Sequence, residues 1–158
     1  MDMTLYLTDT FRFNDLMNKK LLNKIAVLAD PQKSIVLFSH LINCQYKWMA
    51  RICQEPKVNG MSWWDPVYAF EDLPIQWDKS LIPWINFIKA RTEEELYCEV
   101  EFTGYDGGTW VATPADIALQ LNYHSIHHRA QIQTIIRGQG LEPDFVDYIG
   151  IRWRKISG

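Results

Sequence analysis

The stretch TPADIALQLNYHSIHHRAQIQTIIRGQG, residues 113–140, is typical of one long amphipathic helix. Thr113 can cap its start, with Pro114 at the first helical position and Asp116 in the first turn, where the helix dipole favours a carboxylate. The helix should continue to about Arg137. Two glycines can end it: Gly138 and Gly140.

Three of the four histidines in the chain fall within this helix. Four apolar residues define the face that should turn inward: Ile117, Leu121, Ile132 and Ile135. At about 100° per residue, His124 and His128 lie within about 20° of the centre of that face, whereas His127 lies about 80° to one side. The sequence therefore predicts an interior pair, His124 and His128, with His127 outside it.

Residues four apart on a helix stand one above the other, so the imidazoles of His124 and His128 can converge on one metal ion. A structural polar network remains an equal alternative, because burying an imidazole without a partner costs roughly 1–3 kcal/mol. The only other histidine, His40, lies about 80° from the centre of its own apolar stripe. It reaches the pair if the second and fourth helices are neighbours.

The remaining pattern predicts three more long helices, with a hairpin before the last of the four. The helices should span about 8–28, from an Asp30 cap to about 53, and from about 75 or 79 to 92. Alternating residues from 95 onward, with a turn at Asp106, Gly107 and Gly108, predict the β-hairpin. A short helix over about 143–151 would follow. The expected fold is all-α: a single-domain four-helix bundle over residues 1–158, with a small β-hairpin inserted before the fourth helix and a short C-terminal helix.

Composition excludes several function classes. Sixteen basic and 19 acidic residues are scattered along the chain, and the small cluster at Arg152, Arg154 and Lys155 is no concentrated basic surface, so we expect no nucleic-acid partner. No apolar run is long enough to span a membrane. Three cysteines form an odd set without paired spacing, which favours a reducing, cytoplasmic location.

Several features of the chain resemble those of the DinB/YfiT-like family of metal-dependent enzymes. The resemblance covers nearly the whole chain. It depends on an early asparagine on the first helix, a histidine midway along the second, and the pattern H-x-x-x-H-R-x-Q after a hairpin. These positions are Asn14, His40, Trp48, His124, His128, Arg129 and Gln131, followed by the Gly-Leu-Glu-Pro exit at 140–143 and a short helix near Asp147 and Tyr148. Ala130 and Tyr123 depart from the commonest form.

The resemblance implies an up-down-down-up four-helix bundle, commonly a homodimer, that binds a divalent metal ion, usually zinc or nickel. Carried over by position, the metal ligands are His40, His124 and His128. Better-understood members use a low-molecular-weight thiol as cosubstrate, and others are described as hydrolases. No residue is assigned a catalytic role, and the substrate is expected to be a small molecule.

Four further residues are candidates for contacts to a ligand histidine or to substrate: Arg129, Gln131, Trp63 and Trp64. A surface salt bridge is the favoured alternative for Arg129. For Trp63 and Trp64 the alternative is that they anchor a loop, and the same two interpretations apply to Trp77, a further candidate for the pocket wall. Cys44, one turn after His40, can be a ligand or nucleophile, but its apolar stripe favours a buried packing thiol.

Two hypotheses follow from these residues. In the first, the ion held by three histidines activates a thiol or water for transfer or hydrolysis, because a three-ligand set leaves a coordination position open. In the second, the protein is a non-catalytic, stress-related dimer in which the ion ties the second and fourth helices together.

Overall fold

The computed structural model describes residues 2–157 and is mostly helical. Four long helices span Met3–Ile25 (α1), Gln32–Ile52 (α2), Leu73–Lys89 (α3) and, after a short helix at Glu93–Leu96 (α4), Pro114–Gly138 (α5). Strands Val100–Thr103 (β1) and Thr109–Ala112 (β2) form an antiparallel pair between α4 and α5. Within the described residues, no helix is both long and apolar enough to cross a membrane.

The four long helices contact one another in a closed cycle. Helices α1 and α2 each pack against both α3 and α5, so α1 and α2 lie opposite each other although they are consecutive in the chain. This arrangement is compatible with a helical bundle and makes α2 and α5 neighbours, as the histidine argument required. The strand β1 also contacts α2, so the hairpin lies beside the same helix that carries His40.

One cluster of buried apolar side chains draws on all four long helices. Its fully buried members include Leu7, Phe11, Phe38, Ile42, Trp77, Trp84, Ile88, Ala118, Ile132 and Ile136. Burial of apolar area on this scale is the main favourable contribution to folding, at about 25 cal/mol per Å².

Several boundaries differ from the sequence prediction. Helix α1 begins at Met3, capped by Asp2, five residues before the predicted start. Pro31, and not the predicted Asp30, is the N-cap of α2. The Asp30 side chain still accepts a hydrogen bond from the Gln32 N–H. Such shifts are ordinary at helix ends.

Two predicted elements are wrong in kind. Residues 95 and 96, the start of the expected strand region, instead belong to α4, because Thr92 and Glu95 make reciprocal capping hydrogen bonds. The expected C-terminal helix over 143–151 is reduced to a 3₁₀ turn at Tyr148–Ile151. The hairpin itself is confirmed, with Val100 opposite Ala112.

Candidate metal centre

His40 lies in the middle of α2 and is buried, with both ring nitrogens engaged. Its Nδ1 lies 2.7 Å from the Trp63 carbonyl oxygen, and its Nε2 lies 2.8 Å from Nε2 of His124. Since a carbonyl oxygen can only accept, Nδ1 of His40 is the protonated nitrogen. The Nε2 lone pair is therefore directed at the α2–α5 seam, which is how proteins commonly orient a histidine that ligates metal.

The structure brings together the three histidines that were predicted to share a site. Ring centroids are 5.0 Å apart for His40 and His124, 4.8 Å for His40 and His128, and 4.4 Å for His124 and His128. We call these three rings the imidazole cluster. His128 is buried and His124 is half-buried, in agreement with the inward face predicted for α5.

Gln131, one turn after His128 on α5, orients the His128 ring. Its Oε1 lies 2.7 Å from Nδ1 of His128, and its Nε2 lies 3.3 Å from Nε2 of His127. A donor at His128 Nδ1 leaves Nε2 of that ring unprotonated. His127 lies outside the imidazole cluster, as the sequence predicted, and is exposed; Gln131 links it to His128, and its ring lies beside those of His124 and His128.

Cys44 also belongs to this site, which the sequence argument did not favour. Its Sγ lies 3.6 Å from Nε2 of His40, and the ligand atoms of His40, Cys44 and His124 all lie within 4.8 Å of one another. This buried group could hold a metal ion. The thiol is buried as expected, and burial raises its pKa to about 12, so without a metal it stays protonated. The four-residue spacing of His40 and Cys44 was the available signal.

The electrostatics of the cluster keep its rings neutral. Burial, followed by the neighbouring imidazoles His128 and His40, lowers the pKa of His124 to about 4. Burial also lowers the pKa of His40 and of His128, although a hydrogen bond on each ring opposes it. At neutral pH all three rings therefore offer lone pairs, the form that binds a transition metal.

The two tryptophans of the loop between α2 and α3 lie at the cluster. The Trp64 ring stacks on His40 with centroids 3.9 Å apart and an interplanar angle of 11°. Trp63 provides the carbonyl that binds His40 and, with Trp48, lines a cavity of about 210 Å³ that reaches Cys44 and His124. Trp77, the third tryptophan considered for a pocket wall, is instead fully buried in the core and donates to Asp15.

Arg129 lies away from the cluster, and its favoured assignment to a surface salt bridge is wrong. The side chain is only 2% exposed and donates to Oδ1 of both Asn14 and Asn18 on α1, at 2.9 Å each. Its guanidinium also lies over the Phe13 ring. Arg129 therefore joins α5 to α1 and contacts neither a ligand histidine nor the cavity beside them.

The fold and the site together describe a helical protein with a buried histidine and cysteine group able to hold a metal ion. No protein-family model, no curated protein and no solved structure matches the chain.

Proposed function

We propose that the protein is a metal-dependent enzyme of the DinB type, in which His40, His124 and His128 hold a divalent transition-metal ion. The observation that carries the proposal is the convergence of three neutral imidazoles, two of which have Nδ1 tied to a protein oxygen. Their unprotonated Nε2 atoms suit zinc or nickel better than magnesium or calcium. When bound, such an ion supplies Lewis acidity that lowers the pKa of a thiol or water.

The residues around the cluster have separate tasks in this proposal. Trp63 and Gln131 fix the tautomers of His40 and His128, so that their lone pairs are set before an ion arrives. Trp64 covers one face of His40 and restricts the approach of water from that side. The cavity lined by Trp48 and Trp63 provides the opening through which a small molecule reaches His124.

Metal stoichiometry tests the ligand set. The protein is stripped with a chelator, reloaded with zinc or nickel and analysed by mass spectrometry of the metal. We expect one ion per chain for the wild type. His40→Ala and His124→Ala should weaken binding by more than the roughly 10–100-fold that changes to hydrogen-bond partners of ligands cause. His127→Ala is the matched control and should bind like wild type; equal loss in all three variants would contradict the proposal.

The same experiment with cobalt tests whether His128 or Cys44 is the third metal ligand. His128→Ala should lose the ion, whereas Cys44→Ser should retain it and leave the cobalt absorption spectrum unchanged. A thiolate-to-cobalt charge-transfer band in wild type that is lost in Cys44→Ser would instead assign His40, Cys44 and His124 as the ligands. Both results are read directly from binding, independently of any activity.

Turnover distinguishes the enzyme from a metal-stabilised structural protein. In the first case a panel of thiols, esters and amides should show metal-dependent turnover that His128→Ala abolishes, while circular dichroism shows the fold intact. In the second case metal removal should lower the melting temperature strongly and no substrate should turn over. The proposed ligands lie on two helices, α2 and α5, so a bound ion would also hold these helices together, as the second case requires.

A further inference from the structure

A second and larger cavity adjoins the imidazole cluster. It has a volume of about 510 Å³, within the range of small-molecule sites, and lies between α2, the loop that follows it and the hairpin. Trp48 and Trp63 line both this cavity and the smaller one that reaches His40 and His124, so the two spaces share a wall. A molecule bound in the larger cavity would therefore lie next to the cluster.

Two cations line this cavity without a carboxylate partner. Lys47 and Arg51 are half-buried, and neither makes an ion pair with any residue in the described range 2–157. Each donates to one backbone carbonyl: Lys47 to that of Met61, and Arg51 to that of Thr103 at 3.0 Å. An ammonium has three donors and a guanidinium five, so most of their hydrogen-bonding capacity is left for a ligand.

Aromatic rings hold both cations in place. The Lys47 ammonium lies 4.5 Å from the Trp63 ring centroid, and the Arg51 guanidinium lies 4.6 Å from that of Trp48 and 4.7 Å from that of Phe102. Such contacts position a cation but do not neutralise it. The cavity thus combines flat apolar walls with two cations that make no ion pair within the described residues.

The register of α2 relates these cations to the cluster. His40, Cys44, Lys47 and Arg51 follow one another at intervals of four, three and four residues and share one face of the helix. At about 1.5 Å per residue, Lys47 lies about 10 Å along the axis from His40. A molecule that reaches from Lys47 to the imidazole cluster must therefore be about 10 Å long, which is the length of a small substituted acid.

We propose that this cavity binds the carboxylate of a small aromatic acid through Lys47 and Arg51, and so directs the other end of the acid to the imidazole cluster. Placing the reacting group at the cluster rests on the proposed function. Binding of the carboxylate does not, because it needs only Lys47, Arg51 and the aromatic walls.

Binding of a matched pair of probes tests the inference. Isothermal titration calorimetry with 3-phenylpropionate and its neutral amide, 3-phenylpropionamide, is carried out on metal-free and metal-loaded protein. We expect the acid to bind at least about tenfold more tightly than the amide in both forms, because a hydrogen bond to a charged group is worth more than a neutral one. Equal binding of acid and amide, or no binding of either at millimolar concentration, would overturn the proposal.

Variants locate the site. Lys47→Met keeps the apolar stem and should lose at least about tenfold in affinity for the acid, with no change for the amide. Lys47→Arg keeps the charge and should retain most of the affinity. Lys33→Met, which removes an exposed lysine from the same helix, is the control and should bind like wild type. Unchanged binding in Lys47→Met, with its circular dichroism spectrum intact, would place the acid elsewhere.

The two proposals fail separately. If His40→Ala loses the metal but keeps selective binding of the acid, both inferences hold. If wild type takes up no metal yet Lys47→Met still weakens the acid, the carboxylate site stands and the metal-dependent function falls. If the protein binds metal but does not prefer the acid to the amide, the proposed metal site stands and the carboxylate site falls.

Discussion

Arg129 shows how one buried charge can be satisfied without an opposite charge. Its guanidinium binds two amide oxygens, those of Asn14 and Asn18, and lies over the Phe13 ring. Burial lowers its pKa to about 10, because removal from water disfavours the charged form. Asn18 in turn donates to Ser125, so three hydrogen bonds of this network join α1 to α5.

Removing one of these amides should destabilise the protein. Asn14→Ala leaves the buried guanidinium with one acceptor fewer, and we expect the free energy of unfolding to fall by about 2 kcal/mol. Urea denaturation measures this. Asn86→Ala, an exposed asparagine on α3, is the matched control and should change stability by less than about 0.5 kcal/mol. Equal effects of the two changes would mean that the network contributes nothing specific.

At the scale of the element, helix α5 illustrates how local chemistry fixes a boundary. Thr113 has extended backbone angles, its Oγ1 accepts from the Asp116 N–H at 3.1 Å, and its hydroxyl donates to Oδ2 of the same residue at 2.7 Å. Pro114 supplies a preset φ at the first position. The sequence alone therefore located the start of the helix that carries His124 and His128, two of the three members of the imidazole cluster.

Loss of this cap should cost stability. Thr113→Ala removes the acceptor for an otherwise unpaired N–H, and a decrease of about 1 kcal/mol in the free energy of unfolding is expected. Thr134→Ala, at an exposed position one turn before the end of the same helix, provides the comparison. It should be neutral or slightly stabilising, because alanine is the better helix former. A cap variant as stable as Thr134→Ala would refute the assignment.

Helix α3 was predicted to within a few residues of its observed bounds, whereas the helix predicted for the C-terminal segment was wrong. Pro83 lies inside α3, yet the helix continues through it: the proline is exposed, and Leu81 and Trp84 hold the helix on the core. In the C-terminal segment, Phe145 stacks on Trp153 with centroids 5.6 Å apart, and Gly150 packs against Phe145. These contacts fix an irregular path where local pattern had predicted a helix.

At the scale of the whole molecule, the α2–α5 seam decides the character of the site. It places His40 against His124 and His128, and the loop after α2 returns so that the Trp63 carbonyl accepts from His40 and the Trp64 ring stacks on it. Three neutral imidazoles packed this closely resist protonation. The metal-free protein should therefore lose stability in mild acid.

Folding makes His124 harder to protonate, so the stability of the metal-free protein should fall as the pH decreases. In the unfolded chain His124 titrates near its ordinary value of 6.5, whereas folding lowers its pKa to about 4. Below pH 6.5 the unfolded chain takes up a proton that the folded state refuses, so stability falls as the pH decreases and levels off below about 4. For a half-exposed ring screened by solvent, we expect on the order of 1–2 kcal/mol.

Chelator-treated wild type and His124→Gln, unfolded with urea at several values between about pH 7 and pH 5, test this dependence. Wild type should lose more stability over that range than the variant, which lacks one of the competing imidazoles. The difference between the two proteins is the informative quantity, because carboxylates contribute equally to both. Parallel curves would show that His124 does not resist protonation.

The sequence by itself determined the features that depend on local chemistry. The cap and length of α5, the inward position of His124 and His128, the position of His127 outside that pair and the hairpin all follow from helical or strand periodicity and from turn residues. Such signals act over a few residues, and the printed sequence contains them in full.

Only the tertiary structure decided which side chains meet. The periodicity of α2 left His40 at the flank of its stripe, and only the packing of α2 on α5 brings its Nε2 to 2.8 Å from His124. The same packing adds Cys44 to the cluster, and contact with α1 buries Arg129. Contacts between residues far apart in the chain depend on how helices pack, a property of the whole fold that no local pattern encodes.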